Sequence, residues 1–251
     1  MKAENMNVNF PEGKDKVELV IREVNDEVKH ELPVQEPKQV SISGQITAIF
    51  AFLEKRWKAA DDQIDHSRTH ILVDRDNLKM TLVVNETDAR NAKTVNGKIE
   101  LSRQFKSFGI NTEHEFDPED LGNFFRINRS YYDGTKEECM KLVTTLKSFN
   151  ATITANVERE IKDNGSVTDV YKKVVNSNLP ASFFVKIPIF KGAEPERIEI
   201  EIIARVSGRD VFLSLISADA ETIIEEVRDK LIDDQLDKIK ELAPEIPIIE
   251  V

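Results

Sequence analysis

The sequence predicts an α+β fold in which an antiparallel β-meander sheet has helices packed on it and is closed by a long C-terminal helix. Residues Ala151–Ser217 contain five successive β patterns joined by short turns, and Asn164-Gly165 is a strong hairpin signal. Residues Asp219–Leu242 carry apolar positions at helical spacing. The chain has 251 residues, 40% of them hydrophobic, which is enough to bury a core.

The composition argues against a nucleic-acid-coating protein, a disulfide-linked protein and a membrane protein. The formal net charge is -11, which disfavours broad coating of nucleic acid, although a local basic groove can still bind it. Cys139 is the only cysteine, so an internal disulfide is excluded and a buried thiol is expected. No apolar run approaches ~18 residues, and Met1–Phe10 has no signal-peptide pattern. We therefore expect a cytoplasmic protein with no membrane partner.

The N-terminal part is predicted to be an arm followed by a helix. Residues 1–40 include Pro33 and Pro37, which interrupt regular structure. A helix is predicted over Ser41–Ala59, with Ser43 able to cap it. Its apolar stripe follows helical spacing: Ile46, Ile49, Phe50, Leu53 and Trp57.

Two short β runs follow, Thr69–Val73 and Leu78–Val84, and the turn residues between them predict a hairpin. Residues 86–98 are polar and contain Asn96-Gly97, which predicts a loop. Asp117-Pro118 is a strong helix start, with the helix expected to reach about Tyr131.

These patterns predict a simple domain organisation. A second helix follows from Thr135, and the tail after Leu242 is expected to fray or to pair with a neighbouring chain. The predicted units are an arm at 1–40, a single α+β domain at 41–242 and a tail at 243–251. Within the domain we expect a helix and hairpin at 41–85, a loop and helical part at 86–150, the meander at 151–217 and the closing helix at 219–242.

The sequence contains no local signature of catalysis or of a cofactor. The patterns GxSxG, Walker A and GxGxxG do not occur. His66 and His70 have the spacing of a helical metal site, but the β pattern around His70 would separate them, so no metal is predicted. The chain has 46 Asp and Glu residues, so close acid pairs are expected by chance. A hydrolase with dispersed carboxylates stays open as an alternative.

One stretch interleaves basic and aromatic residues, as single-stranded nucleic-acid sites do. Phe108, Phe124 and Phe125 also belong to it. For Phe124 and Phe125 the alternative is the buried face of a helix whose exposed face carries Arg126 and Arg129. The candidate nucleic-acid-binding residues are Arg103, Phe105, Lys106, Arg126, Arg129, Tyr131 and Tyr132.

Several motifs resemble the YfdQ-like proteins, a phage and prophage family of unknown function. The hairpin ILVDRDNLKMTLVVN, the Phe-rich helix and the segment with Asn164-Gly165 and Tyr171 are similar to that family, as is Leu179-Pro180 with the strand after it. The family's tryptophan-centred segment and its Gln-x-x-Phe helix start are absent here, so the chain resembles a distant member. The resemblance implies a phage-encoded protein in the host cytoplasm, and it carries no catalytic residue.

Together these observations predict a non-enzymatic phage binding protein. It would act in phage DNA metabolism by binding single-stranded nucleic acid, or it would inhibit a host protein. The alternative is a structural or assembly protein that forms a homo-oligomer such as a ring, through its sheet edge and terminal arms.

Overall fold

In the computed structural model, the described residues are 40–59, 64–88, 91–149, 179–207 and 210–251. They belong to one compact unit that spans Lys38–Val251. The predicted α+β class is confirmed, because helices pack on a five-stranded mixed sheet and a three-stranded antiparallel sheet. The predicted N-terminal arm and the first two strands of the predicted meander, with the Asn164-Gly165 turn, lie outside the described residues.

The elements have the following bounds. The strands are β1 Val40–Gln45, β2 His70–Asp74, β3 Lys79–Val84, β4 Lys93–Lys98, β5 Phe183–Pro188, β6 Pro195–Ser207, β7 Asp210–Ile216 and β8 Ile248–Glu250. The helices are α1 Thr47–Arg56, α2 Arg103–Phe108, α3 Pro118–Ile127, α4 Lys136–Lys147 and α5 Ala220–Leu242. Short 3-10 turns occupy His66–Arg68 and Arg129–Tyr131. No helix among the described residues combines the length and the apolar character that crossing a membrane requires.

The first sheet has the strand order β1-β4-β3-β2-β8 and is built around the predicted hairpin of β2 and β3. Asp74 stabilises the hairpin turn, because its carboxylate accepts the backbone N–H of Asn77 at 3.0 Å. Alternate residues of both strands are buried, and α1 packs on that sheet while α5 packs against α1. The predicted α1 stripe is also buried at Ile49, Leu53 and Trp57.

Two predictions about this sheet are wrong. Residues 40–45 form strand β1 and not the first turn of a helix, so Ser43 is not a cap and α1 begins at Thr47. Residues 93–98 form β4, the strand between β1 and β3, and not a loop. The Asn96-Gly97 pair lies inside β4, where Gly97 is needed because a Cβ at that position would lie 2.9 Å from Ile46 Cα.

The C-terminal tail was expected to fray or to pair with another chain, and this is also wrong. Strand β8 pairs in parallel with β2 of the same chain, with Ile248 opposite Ile71. The backbone N–H groups of Ile71 and Val251 extend the pairing, donating to Pro247 and Val73 at 2.9 Å each. The tail therefore completes the first sheet.

The second sheet contains the part of the predicted meander that the structure describes. Strands β5, β6 and β7 are antiparallel in that order, and Ile198, Ile200 and Ile202 of β6 are buried on one face. The long C-terminal helix, α5, follows β7 as predicted.

Loops from the segment at 101–133 bond to both outer edges of this sheet. At the β5 edge, the N–H of Ser102 donates to the Ile189 carbonyl at 2.8 Å, and the N–H of Asp133 donates to the Phe184 carbonyl at 2.9 Å. At the β7 edge, Phe116 exchanges two backbone hydrogen bonds with Leu213, at 2.8 and 2.9 Å. The segment therefore crosses between the two edges and closes both.

Arg75 joins three parts of the chain at the tip of the β2–β3 hairpin. Its guanidinium contacts Asp229 at 3.2 Å, Asp233 at 2.7 Å and Glu250 at 3.1 Å, so it links the hairpin to α5 and β8. The Arg75 side chain is only 26% exposed. Its hydrogen bonds, first those to Asp233 and Glu250, raise the pKa of Arg75 further above its ordinary value. Arg75 therefore lies among three carboxylates that repel one another, of which Asp229 also contacts Arg228 at 2.9 Å.

We expect Arg75→Met to lower the free energy of unfolding by about 1–2 kcal/mol, since it removes three charge-assisted hydrogen bonds and the carboxylates then repel one another. Urea denaturation followed by circular dichroism measures the change. The control is Lys240→Met, which removes an exposed pair with Asp237 at 3.5 Å and should change the free energy by less than about 0.5 kcal/mol. An equal effect of the two substitutions would contradict the role of Arg75.

The stability difference between the wild type and Arg75→Met should depend on pH. Hydrogen bonds from Arg228 and then Arg75 hold the pKa of Asp229 below its ordinary value. A lowered pKa in the folded state stabilises the protein above the ordinary carboxyl pKa, and this contribution disappears as the pH falls through the folded value. The difference measured in urea at neutral pH should therefore shrink in strong acid. A difference that stays constant would show that Arg75 acts by packing alone.

We expect Gly97→Ala to destabilise the protein by about 1–3 kcal/mol, because the new methyl group overpacks against the backbone of Ile46. Asn96→Ala is the control, since the half-buried Asn96 side chain lies on the opposite face of β4. Thermal unfolding should show a lower midpoint for Gly97→Ala than for Asn96→Ala. The reverse order would contradict the close packing of α1 on β4.

Candidate nucleic-acid interface

Helix α2 presents two of the candidate cations. Ser102 caps it, with its hydroxyl oxygen accepting the N–H of Phe105 at 2.9 Å, and the same hydroxyl donates to the carbonyl of Pro188 on β5. This anchoring turns Phe105 inward, where it is buried, and leaves Arg103 and Lys106 exposed. The structure therefore separates the basic and aromatic residues of α2 onto opposite faces.

The aromatic residues form a core cluster. Phe108 and Phe125 are each 1% exposed, and Phe108 contacts the edge of the Phe124 ring at a centroid distance of 4.9 Å. Phe125 meets Phe183 of β5 at 5.1 Å in the same edge-on manner. The rings of Phe105, Phe108 and Phe125 thus face the core and cannot stack on bases. The alternative of a buried helix face predicted this for Phe125, whereas the burial of Phe105 corrects its place among the candidate binding residues.

The two candidate tyrosines are half-buried and already have partners. The Tyr131 hydroxyl accepts a hydrogen bond from the Gln104 amide at 3.3 Å, which ties α2 to the 3-10 turn after α3. Tyr132 stacks on Phe183 at 5.9 Å and forms part of the wall of a cavity of about 360 Å³. Burial, and then the charge of Glu138, raises the pKa of Tyr132. Both rings contribute mainly to packing.

Helix α3 positions Arg126. Asp117 caps the helix by accepting the N–H of Glu119 at 2.9 Å, and Pro118 occupies its first turn, as predicted. The helix ends at Ile127, earlier than predicted, and the 3-10 turn follows it. Gly122 faces α4, so Arg126, one turn later, lies on the α4 side of the helix and is exposed.

Arg129 lies beside the start of α4. With Lys136 it lines a cavity of about 330 Å³, whose other walls are Ser130, Gly134, Thr135, Cys139 and Met140. Burial raises the pKa of the Cys139 thiol, and the positive charge of Arg129 partly offsets that rise. Glu138 already accepts the backbone N–H of Thr135 at 2.8 Å, so that N–H is not available to an anion in this cavity.

The candidate cations therefore fall into two groups by element. Arg103 and Lys106 lie on α2, whereas Arg126 lies on the α4 side of α3 and Arg129 lies in the 3-10 turn after it, beside the start of α4. Next to Arg126 in the chain, Ile127 is 79% exposed, which is a large exposed fraction for an isoleucine. Ile127 was not a candidate in the sequence, although its position opposite the buried stripe of α3 is a sign of exposure.

The histidines singled out in the sequence each have a structural partner. His66 stacks on Trp57 at 3.8 Å and its Nδ1 lies 3.2 Å from Glu245, while His70 Nδ1 lies 3.3 Å from Glu86. Within the part of the chain that the structure describes, no group of three His, Cys, Asp or Glu residues could hold a metal ion.

Comparison of the chain with protein families, with curated proteins and with solved structures gives no match. The fold and the geometry of the candidate residues are therefore the observations from which a function can be inferred.

Proposed function

We propose that this chain is a non-enzymatic binding protein that holds single-stranded nucleic acid through Arg103, Lys106, Arg126 and Arg129. The main support is that the arginines differ in whether they form ion pairs with carboxylates. Most described arginines outside the candidate surface pair with carboxylates: Arg68, Arg75, Arg197, Arg205 and Arg228. Among the described residues, Arg103, Arg126 and Arg129 have no carboxylate within 4.0 Å.

The contrast matters because the protein is acidic. The chain has 46 Asp and Glu residues against 35 Lys and Arg residues, so carboxylates outnumber the cations that could pair with them. Arg205, for example, makes a two-pronged contact with Glu115 at 2.6 Å for each pair of atoms. Cations that stay unpaired in such a protein keep their full attraction for an external anion, because no internal pair has to be broken first.

The surface around the cations favours a flexible polyanion with apolar parts. A single strand is flexible enough for its phosphates to follow cations that lie on different elements. The exposed Ile127 offers an apolar contact for a base, which takes the place of the ring stacking that the buried phenylalanines cannot provide. A phage origin, predicted from the YfdQ-like resemblance, would supply such a ligand during DNA metabolism, but the binding does not require it.

The test is fluorescence anisotropy of a labelled single-stranded oligonucleotide over a series of salt concentrations. The wild type should bind, and the logarithm of its affinity should fall linearly with the logarithm of the salt concentration. Arg126→Ala combined with Arg129→Ala should weaken binding at low salt, and should make the slope shallower by about 0.7 for each phosphate that the variant no longer neutralises. The paired change of Arg103→Ala with Lys106→Ala tests the other group in the same way.

The matched control is Arg197→Ala combined with Arg205→Ala. It removes the same positive charge from two exposed arginines that are already paired, with Asp133 and Glu115. It should leave affinity and slope near the wild-type values. An equal loss in the control would mean that net charge and not the candidate surface controls binding. No binding by the wild type at low salt would contradict the proposal and favour the host-protein alternative.

A further inference from the structure

Strand β1 is a sheet edge with unusual character. It pairs on one side with β4, in parallel, and no other described strand pairs with it. All six of its residues are exposed, including the apolar Val40 at 45% and Ile42 at 38%. Its sequence, VSISGQ, has no charged residue and no proline. Charged residues and proline are what monomeric proteins usually place on an edge strand to prevent its pairing with another chain.

The other edge strands in the described part of the chain are either hydrogen-bonded on their outer side or short and charged. The outer edges of β5 and β7 are closed by backbone hydrogen bonds from the segment at 101–133. Strand β8 has only three residues and ends in Glu250, whose carboxylate contacts Arg75. Against these, β1 is a six-residue edge that carries no charge and has no partner on its outer side among the described residues.

The hydrogen bond that follows β1 defines which of its backbone groups face outward. The N–H of Ile46 donates to the carbonyl of Lys98 on β4 at 3.1 Å. Because backbone groups alternate in direction along a strand, the even-numbered residues of β1 face β4. Ser41, Ser43 and Gln45 therefore direct their N–H and C=O groups toward the open side.

We propose that β1 pairs antiparallel with β1 of a second copy of this chain, around a two-fold axis at Ile42. In this register Ser41 of each copy exchanges two backbone hydrogen bonds with Ser43 of the other. Ile42 is opposite Ile42 of the second copy. Val40 is opposite Gly44 of the second copy, which has no side chain to obstruct it. The two five-stranded sheets would then form one continuous sheet.

A second copy fits this edge for two reasons. The strand is complementary to itself, with apolar residue against apolar residue and valine against glycine, as a two-fold interface requires. Two copies that each carry -11 repel one another over most of their surfaces. The uncharged β1 avoids that repulsion at the contact. This interface is independent of the proposed nucleic-acid surface, which lies on other elements.

The first test is light scattering coupled to size-exclusion chromatography at micromolar concentration. The wild type should have twice the mass of the chain. Ile42→Lys places two like charges at the two-fold axis and should give a folded monomer with an unchanged circular dichroism spectrum. The matched control is Ile203→Lys, because Ile203 is 50% exposed on the other sheet and its substitution should leave the dimer intact. A monomeric wild type, or a dimer that survives Ile42→Lys, would overturn the proposal.

The second test detects the register and does not depend on disrupting the fold. A two-fold axis at a non-hydrogen-bonded pair brings the two Cα atoms to about 4.5 Å, within the range of roughly 4.4–6.8 Å that a disulfide spans. Ile42→Cys should therefore form a disulfide-linked dimer under mild oxidation. Ile203→Cys should not, and the native Cys139 is buried. Equal cross-linking of the two variants would contradict the register.

Discussion

Backbone hydrogen-bonding groups at the edges of the two sheets are the constraint on which the rest of this structure depends. Buried strand groups must be paired, and an exposed edge invites another chain. The segment at 101–133 pairs with both edges of the second sheet through Ser102, Phe116 and Asp133. Helices α2 and α3 lie within this segment, so edge closure also determines where Arg103 and Arg126 reach the surface. The same segment therefore closes the edges of the second sheet and presents the candidate cations.

Charge is distributed to match this arrangement. Helix α5 carries many acids, and Arg75 neutralises two of them, Asp229 and Asp233, where α5 meets the hairpin. On the outer face of the second sheet, Arg197 and Arg205 are paired with Asp133 and Glu115. Arg75, Arg197 and Arg205 thus link separate elements of the fold through ion pairs. Within the described part of the chain, the arginines of α2, α3 and the following turn make no such pairs, which leaves their charge for an external partner.

Local sequence features predicted the local structure well, and non-local pairing accounts for most of the errors. The Asp117 cap, the start of a helix after Thr135 and the hairpin turn at Asp74 each depend on neighbouring residues alone, and each appears as predicted. Strands β1 and β8 pair with strands far along the chain, and β4 pairs with β1 as well as with its neighbour β3. In β4, Asn96-Gly97 imitates a turn because Gly97 is required by the close approach of Ile46. On the candidate surface, the exposure of the cations follows from their charge. The inward direction of Phe105 does not follow from local sequence, because it depends on the hydrogen bond between Ser102 and Pro188 of β5.

Long-range and short-range electrostatics act in opposite directions on any anionic ligand of this protein. The net charge of -11 repels a polyanion at a distance, and a dimer would carry -22, twice that charge. Salt screens this repulsion over about 10 Å at 0.1 M, but it also weakens the contacts between phosphates and arginines. The two groups of cations, which have no carboxylate partner among the described residues, act at contact, so their attraction has to exceed the repulsion locally and not across the whole surface. Doubling the cation groups in a dimer would favour a strand long enough to reach both copies, because the second contact becomes intramolecular.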